Sequence, residues 1–345
     1  MTKPLLSVLC LLTLVSNVRA DSPTEQHAGM AMTGAARKFV AALDAQARSK
    51  ATMKFDDPRR LDWNNIPKPQ RKGLQFKEMN EEQRVQCLAL LQAALSKTGY
   101  EKARRIMSLE NNLHEGEKNL KDGPIRDPER YFLTIFGNPD RSGQWGWSFE
   151  GHHVSLNFVV RDGQVIADTP NFLGANPATV RTFVPGGPTE GTRTLAKEEQ
   201  LAFDLIDSLT EQQRAKAIIA PKAPADYRAA GKPQPPKYEK QGLAAAEMTG
   251  DQQKKLWSLL TAYNENLADE LASARLARIR TAGIDQVYFA WEGATKPGIG
   301  HYYRIQGPTF ELELINVQTD PAGNIANHIH SVWRNTQGDF AVAGK

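Results

Sequence analysis

The spacing of apolar residues divides this chain into alternating blocks of helical and strand period. Residues 21–33 are small and polar and read as a loose N-terminal arm. Phe39, Val40 and Leu43 share one helical face, which predicts a helix over 34–50. Residues 55–78 are rich in Pro, Arg and Trp without a period and read as an ordered loop. Asn80, with Gln83 three residues on, has the form of a capping box. Val85, Leu88, Leu91 and Leu95 continue it as an apolar stripe, and Gly99 is expected to close the helix. Ile106, Met107, Leu109 and Leu113 mark a further helix. Beyond Asp127-Pro128 the period falls to two. Strands are predicted over 131–136 and 145–160, and Asp162-Gly163 reads as a hairpin turn. After a Pro/Gly-rich stretch at 184–193, helices resume over 195–219. Pro221, Pro224, Pro233, Pro235 and Pro236 make 221–242 a connector that cannot be helical throughout. One long helix is expected from Thr249 to 281, then strands over 286–292, 301–306, 309–317 and 327–334.

The order helices–strands occurs twice, and residues within it recur. Trp145 to Phe158 lies over His301 to Leu314 without gaps, with Gly151 on Gly307. Trp147/Tyr303, Phe149/Ile305, Val154/Phe310, Leu156/Leu312 and Phe158/Leu314 coincide, and Gly137 matches Gly293 at the same offset. Met79-Asn80 and Gln83 match Met248-Thr249 and Gln252, and Thr210 with Gln213 is a third cap of this form. Alternation and capping boxes align readily with unrelated segments. The shared glycines and the common order of elements favour a duplication. The expected fold is α+β: helical hairpins packed on antiparallel β-sheets in two structurally related halves. An N-terminal arm and helix occupy 21–54, the first half 55–220, a Pro-rich connector 221–248 and the second half 249–345.

Composition acts mainly by exclusion. The 345 residues hold 43 Lys+Arg against 39 Asp+Glu, a formal net charge of +4, with no dense basic block. Nucleic acid is therefore not expected as a partner. The apolar fraction of 40% is enough for a sizeable core. Lys3, then Leu5, Leu6, Val8, Leu9, Leu11, Leu12, Leu14 and Val15, then Val18-Arg19-Ala20, form a secretory signal peptide over 1–20. The alternative is an uncleaved anchor. Export to the periplasm or the extracellular medium is expected, with no membrane span after cleavage. Cleavage removes Cys10 and leaves Cys87 as the one thiol, which excludes an internal disulfide. Cys87 reads as a buried helix residue. P-loop, His-Glu-x-x-His, Gly-x-Ser-x-Gly and Cys-x-x-Cys-His motifs are absent, so no nucleotide and no c-type haem is expected.

Five of the seven histidines, His152, His153, His301, His328 and His330, fall in the strand-like segments. Residues two apart on a strand project to one side, so His328 and His330 point together and supply half of a tetrahedral metal site. His152 or His153, His301 and a glutamate such as Glu311 are the candidates for the rest. The residues do not distinguish zinc, iron and copper. Alternation groups His153 with Ser155 and Asn157, and sets Glu311 and Glu313 in the places of Ser155 and Asn157. A polar face therefore recurs in both halves, and a bulge at Gly151 would bring His152 to it instead. Glu150 is the candidate general base, and Arg334 shares the parity of His328 and His330. Arg334 would hold a carboxylate or phosphate, or else pair with Asp339 or Glu311. Trp147, Asn157, Tyr303, Arg304 and Trp333 are candidate substrate contacts.

Glu150-Gly-His-His-Val-Ser-Leu-Asn157, preceded by Trp145-Gly-Trp147 and Phe136-Gly137, resembles an uncharacterised family known as domain of unknown function 3500. The likeness continues through Phe172-Leu-Gly-Ala-Asn-Pro177, Tyr302 to Pro308 and His328 to Arg334, and covers about residue 55 to the C-terminus. It implies a bacterial, often exported protein and a single motif set of Glu150, His152, His153, Tyr303, His328, His330 and Arg334. It implies no chemistry. The residues themselves point to a metal- or small-ligand-dependent enzyme, hydrolytic by default, acting on a small molecule or polymer. The alternative is a non-catalytic binding protein with a groove lined by Trp145, Trp147, Tyr302, Tyr303 and Trp333. Converging imidazole nitrogens favour the first, and aromatics lining an open trough favour the second.

Overall fold

The structure, a computed structural model, describes residues 23–237 and 239–343. The segment read as a signal peptide lies outside the described residues. The expected loose arm is helical: α1 runs Pro23–Ala41 and α2 Ala45–Ala51. Ala28, Met32, Ala36 and Phe39 are buried at spacings of four, four and three, so small residues carry the face that large ones did not advertise. Asp44 ends the run and caps α2, its Oδ1 accepting from Ala47 N at 2.8 Å.

Strands β1 (Thr52–Met53) and β2 (Leu74–Gln75) bracket the Pro/Arg/Trp loop. The Asn80 capping box forms and opens α3 (Glu81–Ala94). The buried face of α3 is Cys87, Leu90, Leu91 and Ala94, whereas Val85 is exposed. Burial drives the Cys87 thiol far above its ordinary range, so it stays protonated. Gly99 does not close α3. Ser96 caps a new helix, α4 (Lys97–Glu117), and Gly99 sits in its first turn. A Cβ there would stand 1.9 Å from the Asn266 carbonyl oxygen, so glycine lets two helix corners touch.

The strands follow: β3 (Phe132–Phe136), β4 (Gln144–Gly151), β5 (Val154–Arg161), β6 (Gln164–Ala167) and β7 (Asn171–Ala175). Asp162 and Gly163, both at positive φ, turn β5 into β6. Next come α5 (Ala196–Ser208), α6 (Glu211–Ala217), β8 (Ile218–Ala220) and β9 (Leu243–Ala244). The expected single helix after Thr249 is two, α7 (Gly250–Asn264) and α8 (Asp269–Ala282). The break holds Leu267, bridged to Leu95, and Ala268, whose N–H donates to the Ala94 carbonyl. β10 (Tyr288–Gly293), β11 (His301–Gln306), β12 (Glu311–Gln318) and β13 (His328–Arg334) complete the chain.

The strands join one mostly antiparallel sheet in the order β1-β3-β4-β5-β7-β13-β12-β11-β10-β8. The first five lie between residues 52 and 175, and the last five between 218 and 334, with β8 from the end of the first half placed at the far edge. They meet at β7 and β13, where Gly174 faces His330. One side of the sheet is apolar. Leu133, Phe149, Leu156, Leu173, Leu312, Ile305 and Phe289 pack there against the helices in one core. The other side carries Ser148, Glu150, Asn157, Arg304, Glu311 and Glu313, all buried. The β1–β2 loop, the connector and the C-terminal segment close over it around Trp63, Phe172, Tyr227, Tyr302 and Phe340. The expected polar face thus exists, but it is shared by halves lying side by side and is roofed by irregular chain.

Candidate metal centre

His152 and His153 are not strand residues. They are the two-residue turn between β4 and β5, whose last pair is Gly151 with Val154. His153 has φ +63°, a left-handed conformation that histidine tolerates better than most side chains. The turn is clamped by backbone and side chains alike. His153 N donates to Asn65 O at 3.0 Å and its carbonyl accepts from Gly174 N at 2.8 Å. Tyr131 OH donates to the His152 carbonyl at 2.7 Å, and Arg71 to that of Gly151 at 3.2 Å.

This turn carries the His153 ring over Gly174 of β7 to the polar side of β13. There its Nε2 stands 2.9 Å from His328 Nε2 and 3.2 Å from His330 Nε2, and the last two are 3.0 Å apart. His328 and His330 project together because they are two apart on β13, as their spacing predicts. Gly174 is required where it is: a Cβ would lie 2.9 Å from Ile329 O and 3.1 Å from the His153 ring. The outer nitrogens are held as well. His330 Nδ1 lies 2.9 Å from Asp226 Oδ1, and His328 Nδ1 lies 3.3 Å from the Asn176 amide. Phe172 and Tyr227 wall His330, with ring centroids at 5.5 and 6.0 Å.

His153 and His330 are buried and His328 is half-buried. Burial first, then the neighbouring imidazoles, hold His153 well below the ordinary imidazole range. Burial and His330 push His328 down to about 3. Neutral imidazole is the form that ligates metal. These three residues are the set of His, Cys, Asp or Glu side chains that could hold a metal ion among the described residues.

The other candidate residues go elsewhere. The His152 ring stacks on that of His153 at 3.7 Å but turns its Nδ1 to Glu110 Oε1 at 2.5 Å and Arg126 at 3.0 Å. His301 lies on the apolar side of the sheet, stacked on Trp291, its Nε2 3.3 Å from Glu199. The parity of β11 makes this unavoidable, because His301 shares a side with Tyr303 and Ile305. Glu311 is on the polar side but is bound by Arg228 at 2.8 Å and Gln306 at 2.7 Å. Glu150 pairs with Lys72 at 2.7 Å, and Arg334 with Asp339 at 2.5 Å. Asn157 donates to Pro170 O at 3.0 Å, and Arg304 to Gln241 at 3.0 Å. Trp147, Tyr303 and Trp333 are packed on the helix side: Trp147 on Phe158, Trp333 on Phe310, and the Tyr303 hydroxyl against that of Tyr263. Trp145, Trp147, Tyr302, Tyr303 and Trp333 are all buried, and they lie on both sides of the sheet rather than along one groove.

Asp226, Asn176, Gly174, Asn65, Glu110 and Arg126 support the site and carry no periodic signal in the sequence. Gly174 and Asn176 lie within the Phe172–Pro177 segment that took part in the family likeness. The other four act from loops, the connector or a helix, where spacing says nothing about what they touch.

The fold and site together describe an α+β protein with a three-imidazole cluster where its two halves meet. The chain belongs to the family described as Protein of unknown function (DUF3500), whose model matches residues 25–342. No match was found among curated proteins or among solved structures.

Proposed function

We propose that His153, His328 and His330 hold one divalent transition metal, and that the protein is a metal-dependent enzyme. One observation carries this reading. Three Nε2 atoms lie mutually within 2.9–3.2 Å. A neutral imidazole has one N–H. His330 gives its own to Asp226 through Nδ1, so its Nε2 is a bare lone pair. Exchanging the ends of the Asn176 amide gives His328 Nδ1–H an oxygen to donate to and leaves a second lone pair at Nε2. A single proton from His153 does not satisfy both, whereas a cation at the centre satisfies all three.

Nitrogens at these separations could all bind one ion with metal–nitrogen bonds of about 2.0–2.1 Å. Three imidazoles are fewer ligands than the four of a structural site, and three protein ligands are the number typical of catalytic ones. Such an ion polarises an oxygen set against it or lowers the pKa of its water. Asp226 and the Asn176 amide orient the rings, and Phe172 and Tyr227 exclude bulk water. Hydrolysis is the reaction we assign by default, and zinc, iron and copper all fit the donor set. Glu150, held by Lys72, serves here to support the hairpin rather than as the base.

Two further readings belong with this one. The order of elements, with three capping boxes and a sheet whose halves mirror each other about β7 and β13, supports descent from a duplicated unit. The Lys3-to-Ala20 pattern supports export.

The test is elemental analysis of the purified protein. One metal per chain is expected, removed by chelation. His328→Ala should weaken binding by more than about a hundredfold, since even supporting groups around a metal cost ten- to a hundredfold. Metal-free protein that takes up no zinc, iron or copper on titration would remove the proposal.

A further inference from the structure

Asp226, which holds His330, belongs neither to the sheet nor to a helix. It lies in the Pro-rich connector, which makes little regular structure of its own across 221–242. The connector is fixed by what it touches. Tyr227 OH donates to Asn65 Oδ1 at 2.6 Å, and Asn65 in turn holds the His153 backbone. Lys232 O accepts from the Trp63 indole at 2.8 Å and from Arg334 at 2.9 Å. Gln234 and the Asp339 backbone bond each other in both directions. Of these contacts, the one to a histidine of the triad is that of Asp226, with Oδ1 also accepting from Tyr227 N at 2.8 Å.

We propose, resting on the metal reading above, that the connector is a strap belonging to the metal centre: Asp226 positions His330 for the ion, and the ion in turn fastens the strap. The physical link is the single proton of the His330 ring. A cation on Nε2 keeps that proton on Nδ1, where it faces the Asp226 carboxylate, and makes it a stronger donor. Without the ion the same hydrogen bond remains, but its donor is an ordinary neutral imidazole N–H and holds the strap less firmly. Linkage makes the effect reciprocal: whatever loosens Asp226 weakens the metal by the same factor. Asp226 is thus a positioning residue, acting through His330.

The experiment uses the full chain with zinc. Zinc content with and without chelator is measured first, and protein that binds none overturns the metal reading and this inference together. Given bound zinc, limited trypsin digestion is mapped by mass. Chelation is expected to speed cleavage after Lys222 and Arg228 about tenfold, the effect of weakening one contact by about 1.4 kcal/mol. Cleavage within α3 and α7 should not change. Asp226→Ala should weaken zinc ten- to about a hundredfold and bring the zinc-loaded protein at least to the chelated rate. Asp226→Asn keeps an acceptor oxygen and should restore part of both. Equal cleavage rates with and without zinc, or an Asp226→Ala variant binding zinc as tightly as the parent, would overturn the strap while leaving the metal centre standing. Cleavage spreading over the whole chain on chelation would also overturn it, since the ion would then hold the entire fold.

Discussion

Behind the triad, Glu110 and Arg126 meet at one nitrogen of His152. Arg126 can only donate, so Nδ1 is an acceptor and the Glu110 oxygen at 2.5 Å must bring a proton of its own. Burial pushes the Glu110 carboxyl up to about 8, in agreement. The sign of the pH effect follows. The folded value lies above the ordinary carboxyl value of 4.5, so the folded state keeps a proton that the unfolded state has lost. The stabilising contribution is complete below the ordinary value and declines as pH rises toward about 8, by at most about 1.4 kcal/mol per unit. Glu110→Gln cannot lose a proton. Urea unfolding of parent and variant between pH 5 and pH 8 should show the parent losing ground steadily, and parallel curves would contradict the protonated carboxyl.

Among the elements, the β4–β5 hairpin decides where the first ligand goes. Its two-residue turn lifts His152 and His153 off the alternation that the strand pattern assigns them, so parity alone does not predict which ring reaches β13. Gly151 lets the turn form: a Cβ there would stand 2.2 Å from the Tyr131 ring, which is itself stacked on Phe149 at 5.8 Å and bonded to the His152 carbonyl. Gly151→Ala should therefore cost about 1–3 kcal/mol in stability, the range for overpacking. It should also weaken zinc binding, because the displaced Tyr131 releases the turn. Calorimetric zinc titration of the folded variant checks this, and unchanged affinity would mean that the turn is held without Tyr131. The helices were more legible than the hairpin. Three capping boxes at Asn80, Thr210 and Thr249 form as their sequences indicate, because a cap is a local exchange of hydrogen bonds. The breaks after Ala94 and Asn264 were not legible, since they depend on each other: Leu95 pairs with Leu267 across the molecule.

Over the whole molecule, the metal centre stands on the seam. His153 comes from the first half, His328 and His330 from the second, and the seam is a pair of hydrogen-bonded strands, β7 and β13, within one continuous sheet. Neither half can lose its sheet without opening the other's edge, so unfolding should be a single calorimetric transition despite the length of the chain. Saturating zinc should raise its midpoint by roughly 4–6 °C, as expected for a ligand at about 100 to 1,000 times its Kd. Two separated transitions, only one of them zinc-sensitive, would contradict the shared seam.

What the sequence determined by itself is what short-range physics fixes: strand alternation, helix caps, the pairing of His328 with His330 on one side of β13, and the two-sided character of the sheet. A period of two or of 3.6 is a property of neighbouring residues and survives without a fold. Tertiary structure alone decided which histidine joins them, that His301 faces the helices, and that Asp226 reaches in from the connector. Those choices turn on strand order and on a turn conformation, where segments more than a hundred residues apart meet, and no spacing along the chain encodes that distance.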